Sequence, residues 1–246
     1  MESSVVRFGI PAIALVLLGL LAFGTFHAER RLGSEPPVAR RRALLAFAGM
    51  GAWMAVLGGV ASTGIFARFD LRPPPMTGAF AGTLVLALVL ALSRFGKRLA
   101  SGLPLVALVG FQAFRLPLEL VMHQAANDGL MPSVMSFNGY NFDILTGVSA
   151  ALLGVWLLVG KPPRGVVVAF NLLGSTLLLV VSVVAVAALP LFGAFGPAQL
   201  NVWVTRFPYV WMAVMVGSAL FGHVLLARRL LAESVPAAGI TRSVPG

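Results

Sequence analysis

Apolar residues along this chain come in long unbroken runs, without the alternation of a half-buried strand. Seven such runs cover 5–26, 43–66, 78–92, 103–122, 142–160, 166–189 and 207–227. At 1.5 Å per helical residue, about 20 apolar residues cross the roughly 30 Å hydrocarbon core of a bilayer. The pattern therefore predicts an all-α membrane protein, a bundle of seven transmembrane helices forming one domain over 1–230. The remaining 231–246, rich in Pro, Gly and Ala, reads as a flexible cytoplasmic tail.

Composition agrees with the pattern. Of 246 residues, 59% are hydrophobic and 11% charged, whereas a soluble domain is nearer half apolar and a quarter charged. The net charge of +10 would suit nucleic acid, but its basic residues sit at the ends of apolar runs. There they orient spans and meet lipid headgroups, so membrane lipids are the expected partners and nucleic acid is not. Cysteine is absent, which excludes disulfides, thiolate metal sites and Cys nucleophiles. The only two lysines, Lys97 and Lys161, lie at run ends, leaving none inside the bundle for a Schiff base.

Charge also predicts the topology. One Arg, Arg7, stands at the start of the first run and five follow its end, the reverse of a signal peptide. The loops after spans one, three and five carry five, three and two Lys/Arg, against two, none and one after spans two, four and six. The positive-inside rule then places the N-terminus outside and the C-terminus inside. Compactness and the preference for Arg over Lys suggest a bacterial protein of the cytoplasmic (inner) membrane.

Candidate chemistry concentrates in span four and the loop after it. Gln112, Arg115, Glu119 and His123 are three, four and four residues apart, which stacks them on one helix face. Ionisable groups inside a span must face protein or a watery cavity, and Arg115 and Glu119, one turn apart, are expected to pair. Pro117 removes a backbone donor beside them and is expected to kink the helix. Gly129 looks like a helix-ending residue, and Asn138-Gly139 between apolar flanks predicts a tight hairpin in the outer loop between helices 4 and 5. Asn141 and Asp143 would then either cap span five or face a ligand.

Three functions fit these residues. The first is an outward-facing pocket for a small polar or amphiphilic ligand, for transport or sensing. It would be lined by Gln112, Arg115, Glu119, His123, Asn138, Asn141, Asp143 and Arg206, with Arg115 holding an anionic group. The second is an intramembrane enzyme acting on a lipid or isoprenoid, with Glu119, His123 and Asp143 as candidate acid–base groups. The third is a structural or assembly subunit in which the stripe only packs. Glu119 and His123 could share a metal, but no third ligand accompanies them, so no metal site is assigned. His223 reads as too near the inner end of span seven to join the pocket. No nucleotide, hydrolase or metalloprotease motif is present, and the sequence names no cofactor and no oligomeric state.

Overall fold

The computed structural model describes residues 3–234, and every regular element among them is helical. The α-helices are α1 (Ser4–Arg31), α2 (Pro36–Ser62), α3 (Pro75–Leu92), α4 (Arg94–Gly102), α5 (Leu105–Gly110), α6 (Arg115–Asn127), α7 (Ile144–Val159), α8 (Arg164–Ala187) and α9 (Met212–Ser234). A 3-10 turn over Phe111–Phe114 joins α5 to α6, so that Leu105–Asn127 is one apolar element. Among the described residues six elements are long and apolar enough to cross a membrane, and α7 is a shorter apolar helix. This is the composition of a helical membrane bundle.

Local chemistry sets the boundaries. Ser3 caps α1 and Ser93 caps α4 with side-chain oxygens that accept otherwise free backbone N–H groups. Pro36 and Pro75 open α2 and α3, where a missing N–H costs nothing. Several helices outrun their apolar stretches because Arg continues a helix well. Thus α2 contains Arg40, Arg41 and Arg42, and α9 passes through Arg228 and Arg229 to Ser234. The expected tail accordingly begins in helix, since 231–234 belong to α9; its remainder, 235–246, lies outside the described residues. The amphipathic α4 lies within what the apolar runs mark as a loop.

The helices alternate in direction between two ends of the bundle. At one end the Ser3 N–H donates to Asp128, joining the start of α1 to the end of α6. At the other, Arg98 of α4 reaches Glu29 near the end of α1, and Arg229 of α9 donates to Ser101 O. Helix α9 is central: 61% of its apolar stretch is buried, against 17% for α3. Both α3 and α8 pack on α9, but they share little with each other, which leaves a gap between them.

The hairpin expected at Asn138-Gly139 does not form. A type I′ turn needs positive φ at both residues, and neither adopts it. Instead the chain after α6 turns back into the bundle through a 3-10 turn at Ser133–Met135, burying Met131, Met135, Ser136 and Asn141. Gly139 donates to Ser136 O (2.8 Å) and Tyr140 to Val134 O (2.9 Å). A Cβ on Gly139 would fall 2.5 Å from Val134 Cα, so glycine is required there for close approach and not for its φ. Gly129 does behave as read: at φ +72° it ends α6, with Gly129 donating to Ala126 O and Leu130 to Ala125 O.

Candidate functional site

Arg115 is the organising residue, at 1% exposure and midway along Leu105–Asn127. A buried guanidinium must find partners, and three segments supply them: α8, α9 and the start of α7. Its Nη2 lies 2.5 Å from Asp143 Oδ2, just before α7. Its Nη1 is 3.0 Å from His223 Nε2 of α9 and donates to Gly174 O of α8 at 3.3 Å. The ring of His223 is in turn fixed by Asn171 of α8, whose Oδ1 is 3.0 Å from Nδ1. With Nδ1–H donating to Asn171, Nε2 keeps a lone pair for Arg115. Gly174 makes room for this: a Cβ there would meet His223 Cε1 at 2.4 Å.

The expected pairing of Arg115 with Glu119 is therefore replaced by a pairing with Asp143. The loop carries Asp143 down to the level of Arg115, and its carboxylate does not cap α7. Thr146 donates to Asp143 Oδ1 (3.2 Å), and Asn141 Oδ1 accepts from the Asp143 backbone N–H (3.0 Å). Asn141 spans the two carboxylates, because its Nδ2 donates to Glu119 Oε2 (2.8 Å) and to Met135 O (3.0 Å). One guanidinium thus stands among two carboxylates and pairs with Asp143 only. Within this cluster Arg115 Nε and Gln112 Oε1 have no hydrogen-bond partner among the described residues, and the bond from Asn141 reaches only one of the two Glu119 oxygens; Asn201 Oδ1, on a residue that borders the neighbouring cavity, is likewise unpartnered.

Beside this cluster lies a cavity of about 400 Å³ between α3, α6, α8 and α9. Arg115, Glu119 and Asp143 form its polar pole, and Phe80, Met122, Met135, Leu178, Val181 and Met215 belong to its apolar wall. Half-buried Thr77 and Phe80 on α3 and Ser182 and Ala185 on α8 flank this cavity, and the loop residues Pro73, Pro74, Leu191 and Phe192 line it toward the Asp128 end. Asn201, which ties the chain after α8 to Ala185 O, borders it nearer the Asp128 end.

Of the residues singled out in the sequence, Arg115, Glu119, Asn141 and Asp143 come together. Gln112 lies one turn below and donates to Ala219 O (3.0 Å). His123 does not join them: it is half-buried, stacked on Phe137 at 4.2 Å, and outside the cavity. Asn138 and Arg206 are exposed and also outside it. Two further contributors are His223, which the sequence places too near an end of span seven, and Asn171. The apolar run of span seven stops at Ala227, which puts His223 near an end, but α9 continues and leaves it midway. Asn171 stands out as a lone amide in an apolar run, and such a residue needs a partner on another helix.

Among the described residues no group of three or more His, Asp or Glu side chains is placed to hold a metal ion. Compared with protein families, curated proteins and solved structures, the chain matches none. The class is therefore set by the molecule itself: a helical bundle of membrane-spanning composition with a buried, under-compensated ionic cluster at the end of an apolar cavity.

Proposed function

We propose that this is a multi-pass protein of a bacterial cytoplasmic (inner) membrane that binds an amphiphilic small molecule in the α3–α6–α8–α9 cavity, for transport or sensing. All seven apolar helices cross, with the N-terminus outside and the C-terminus inside. The distribution of charge supports that topology: Arg30, Arg40, Arg42, Arg94, Arg98, Lys161 and Arg228 gather at the Glu29 end, while Arg68, Arg72 and Arg206 lie at the other. α7 spans only about 24 Å at 1.5 Å per residue. The buried loop before it fills the rest of that path, which non-helical backbone can do only where protein surrounds it.

One observation carries the ligand reading. The cavity joins an apolar wall to a charged pole that the protein leaves partly unpartnered, and ligand sites have this make-up: mostly apolar with a few convergent polar groups. The acid–base pairing of Glu119 with His123 gains nothing from the geometry, because His123 packs elsewhere.

Native mass spectrometry of the protein released from membranes tests the reading. A co-purifying amphiphile is expected, and Ser182→Phe should lose it while keeping the helical fold. Ser182 suits the purpose because it lines the cavity and its hydroxyl bonds only Leu178 O in its own helix. A ligand-free spectrum from native membranes, or retention of the ligand by Ser182→Phe, overturns the proposal.

A further inference from the structure

The chemistry of the pole narrows the ligand. An anionic head would enter beside two carboxylates, with the one guanidinium there, Arg115, already paired with Asp143. A quaternary ammonium would leave the Arg115 Nε–H unmatched and sit next to a fixed positive charge. At the pole itself the open hydrogen-bonding positions are a donor, Arg115 Nε–H, and an acceptor, the second carboxylate oxygen of Glu119; the other unpartnered oxygens, Gln112 Oε1 and Asn201 Oδ1, lie away from it. Arg115 is 1% exposed and Glu119 2%, so neither atom is at liberty to turn to bulk water. The two residues are one turn apart on α6, with Cβ atoms about 5–6 Å from each other on a helix. One group that both donates and accepts can serve both.

Depth points the same way. The pole lies near the middle of Leu105–Asn127, and the cavity runs from it between α3 and α8, which touch each other little. A ligand arriving from the bilayer must carry its head into hydrocarbon. For an ion that cost is severe, whereas a neutral hydroxyl loses only a few kcal/mol, returned by hydrogen bonds inside.

We propose that the cavity takes a single-chain lipid alcohol, whose hydroxyl donates to Glu119 and accepts from Arg115 Nε–H while its chain lies along Met122, Met135, Leu178 and Met215. This rests on the amphiphile-binding reading above. It specifies the head as neutral and hydroxylic. The pole then recognises the hydroxyl by leaving two buried groups unmatched whenever it is missing, which is how a site built to hydrogen-bond an OH rejects the analogue without one.

The test measures binding of tritiated dodecanol to the full-length protein in lipid nanodiscs, with empty nanodiscs as blank. Unlabelled dodecanol, dodecane, dodecyl phosphate and dodecyltrimethylammonium serve as competitors. Dodecanol should compete at least about tenfold better than the other three, a difference of roughly one hydrogen bond. Glu119→Gln, which still accepts from Asn141, should weaken dodecanol about tenfold while the protein stays folded. Equal competition by dodecane shows a merely apolar cavity and overturns the hydroxyl assignment. Stronger competition by the phosphate or the ammonium compound overturns it in favour of a charged head. With a charged head the amphiphile reading survives, whereas equal competition by dodecane counts against it as well. If none of the four binds above blank, and Ser182→Phe behaves as the parent, both proposals fall.

Discussion

Glu29 and Glu119 are both carboxylates that the fold removes almost wholly from solvent, at 2% exposure each. Their surroundings differ in kind. Glu29 receives Arg98 Nε at 2.6 Å and Nη2 at 2.5 Å, Arg42 at 2.5 Å and Ser34 Oγ at 2.7 Å. Two guanidiniums thus serve one carboxylate and fasten α1, α2 and α4 together at one end of the bundle. Around Glu119 the ratio is inverted: two carboxylates stand beside one guanidinium, which pairs with Asp143, and among the described residues a neutral amide from Asn141 is the hydrogen-bond donor to Glu119. The first cluster is complete, and none of its residues lines the α3–α6–α8–α9 cavity. The second is incomplete, and its open side is the cavity. Saturation separates an ionic group that holds a fold from one placed to meet something else, and burial alone does not.

The sharpest way to break this contrast is Arg115→Leu. It leaves Asp143 and Glu119 buried with no cation between them and strands His223 Nε2, so a loss of about 3–5 kcal/mol is expected. Thermal unfolding in detergent reads it as a large fall in Tm or as a failure to recover folded protein. Adding Asp143→Asn should restore much of the loss, because one excess charge is then gone. A near-normal Tm for Arg115→Leu alone would show the cluster to be hydrated and not buried.

Glu29→Gln comes next. Both of its arginines are left without a charge partner, but they are more than a third exposed and can turn to water. The expected cost is therefore lower, about 2 kcal/mol, in the same unfolding experiment. No change at all would mean that the ring around Glu29 is a surface pair of little weight.

Glu119→Gln is the decisive partner of that variant. The substitution is the same and the burial is equal, yet little loss of stability is expected, within about 1 kcal/mol of the parent and of either sign. The amide keeps the hydrogen bond from Asn141, and removing a second carboxylate from beside Asp143 relieves like-charge repulsion. Binding in the cavity, and not Tm, should change. Destabilisation matching Glu29→Gln would make Glu119 a structural residue and erase the distinction.

How far the sequence reveals these two regions follows from the range of the interactions. Apolar runs of about 20 residues announce the bundle, and the spacing of Arg115 and Glu119 announces one polar face, because both are local patterns. The meeting of Arg115 with Asp143 is not local. It depends on a loop that folds back under Gly139, and an Asn-Gly pair reads as a hairpin when its neighbours are treated as strand. His223 was misplaced for a related reason: the end of an apolar run is not the end of a helix when arginines continue it. The Glu29 ring is hidden more thoroughly. Glu29 lies among Arg30, Arg31, Arg40, Arg41 and Arg42, and in a basic loop any one carboxylate looks solvated. Only the placement of α4, which no apolar run marks, brings Arg98 to it.

A third carboxylate sets the lower limit of the comparison. Asp128 lies at the surface, past the end of α6, and its partners are hydrogen-bond donors: the Ser3 backbone N–H at 2.8 Å and Gln124 Nε2 at 2.8 Å. The Ser3 N–H, more than any other contact, holds its carboxyl below the usual carboxylate range. A group whose folded pKa is depressed contributes stability above its unfolded pKa, about 3.9 for Asp, and loses that contribution as the pH falls through the folded value. The tether between α1 and α6 should therefore be unchanged from neutral pH to about pH 5 and loosen only below about pH 4. Hydrogen exchange in the first turn of α1, corrected for intrinsic rates, is the measurement; the expected change is confined to that turn and leaves global unfolding untouched. Asp128→Asn should remove the acid dependence, since an amide oxygen still accepts from Ser3 but does not titrate in this range. Exchange that spreads from the first turn of α1 into the middle of the bundle on acidification would mean that this exposed carboxylate carries as much of the fold as the buried ones, and exposure would then no longer rank the three.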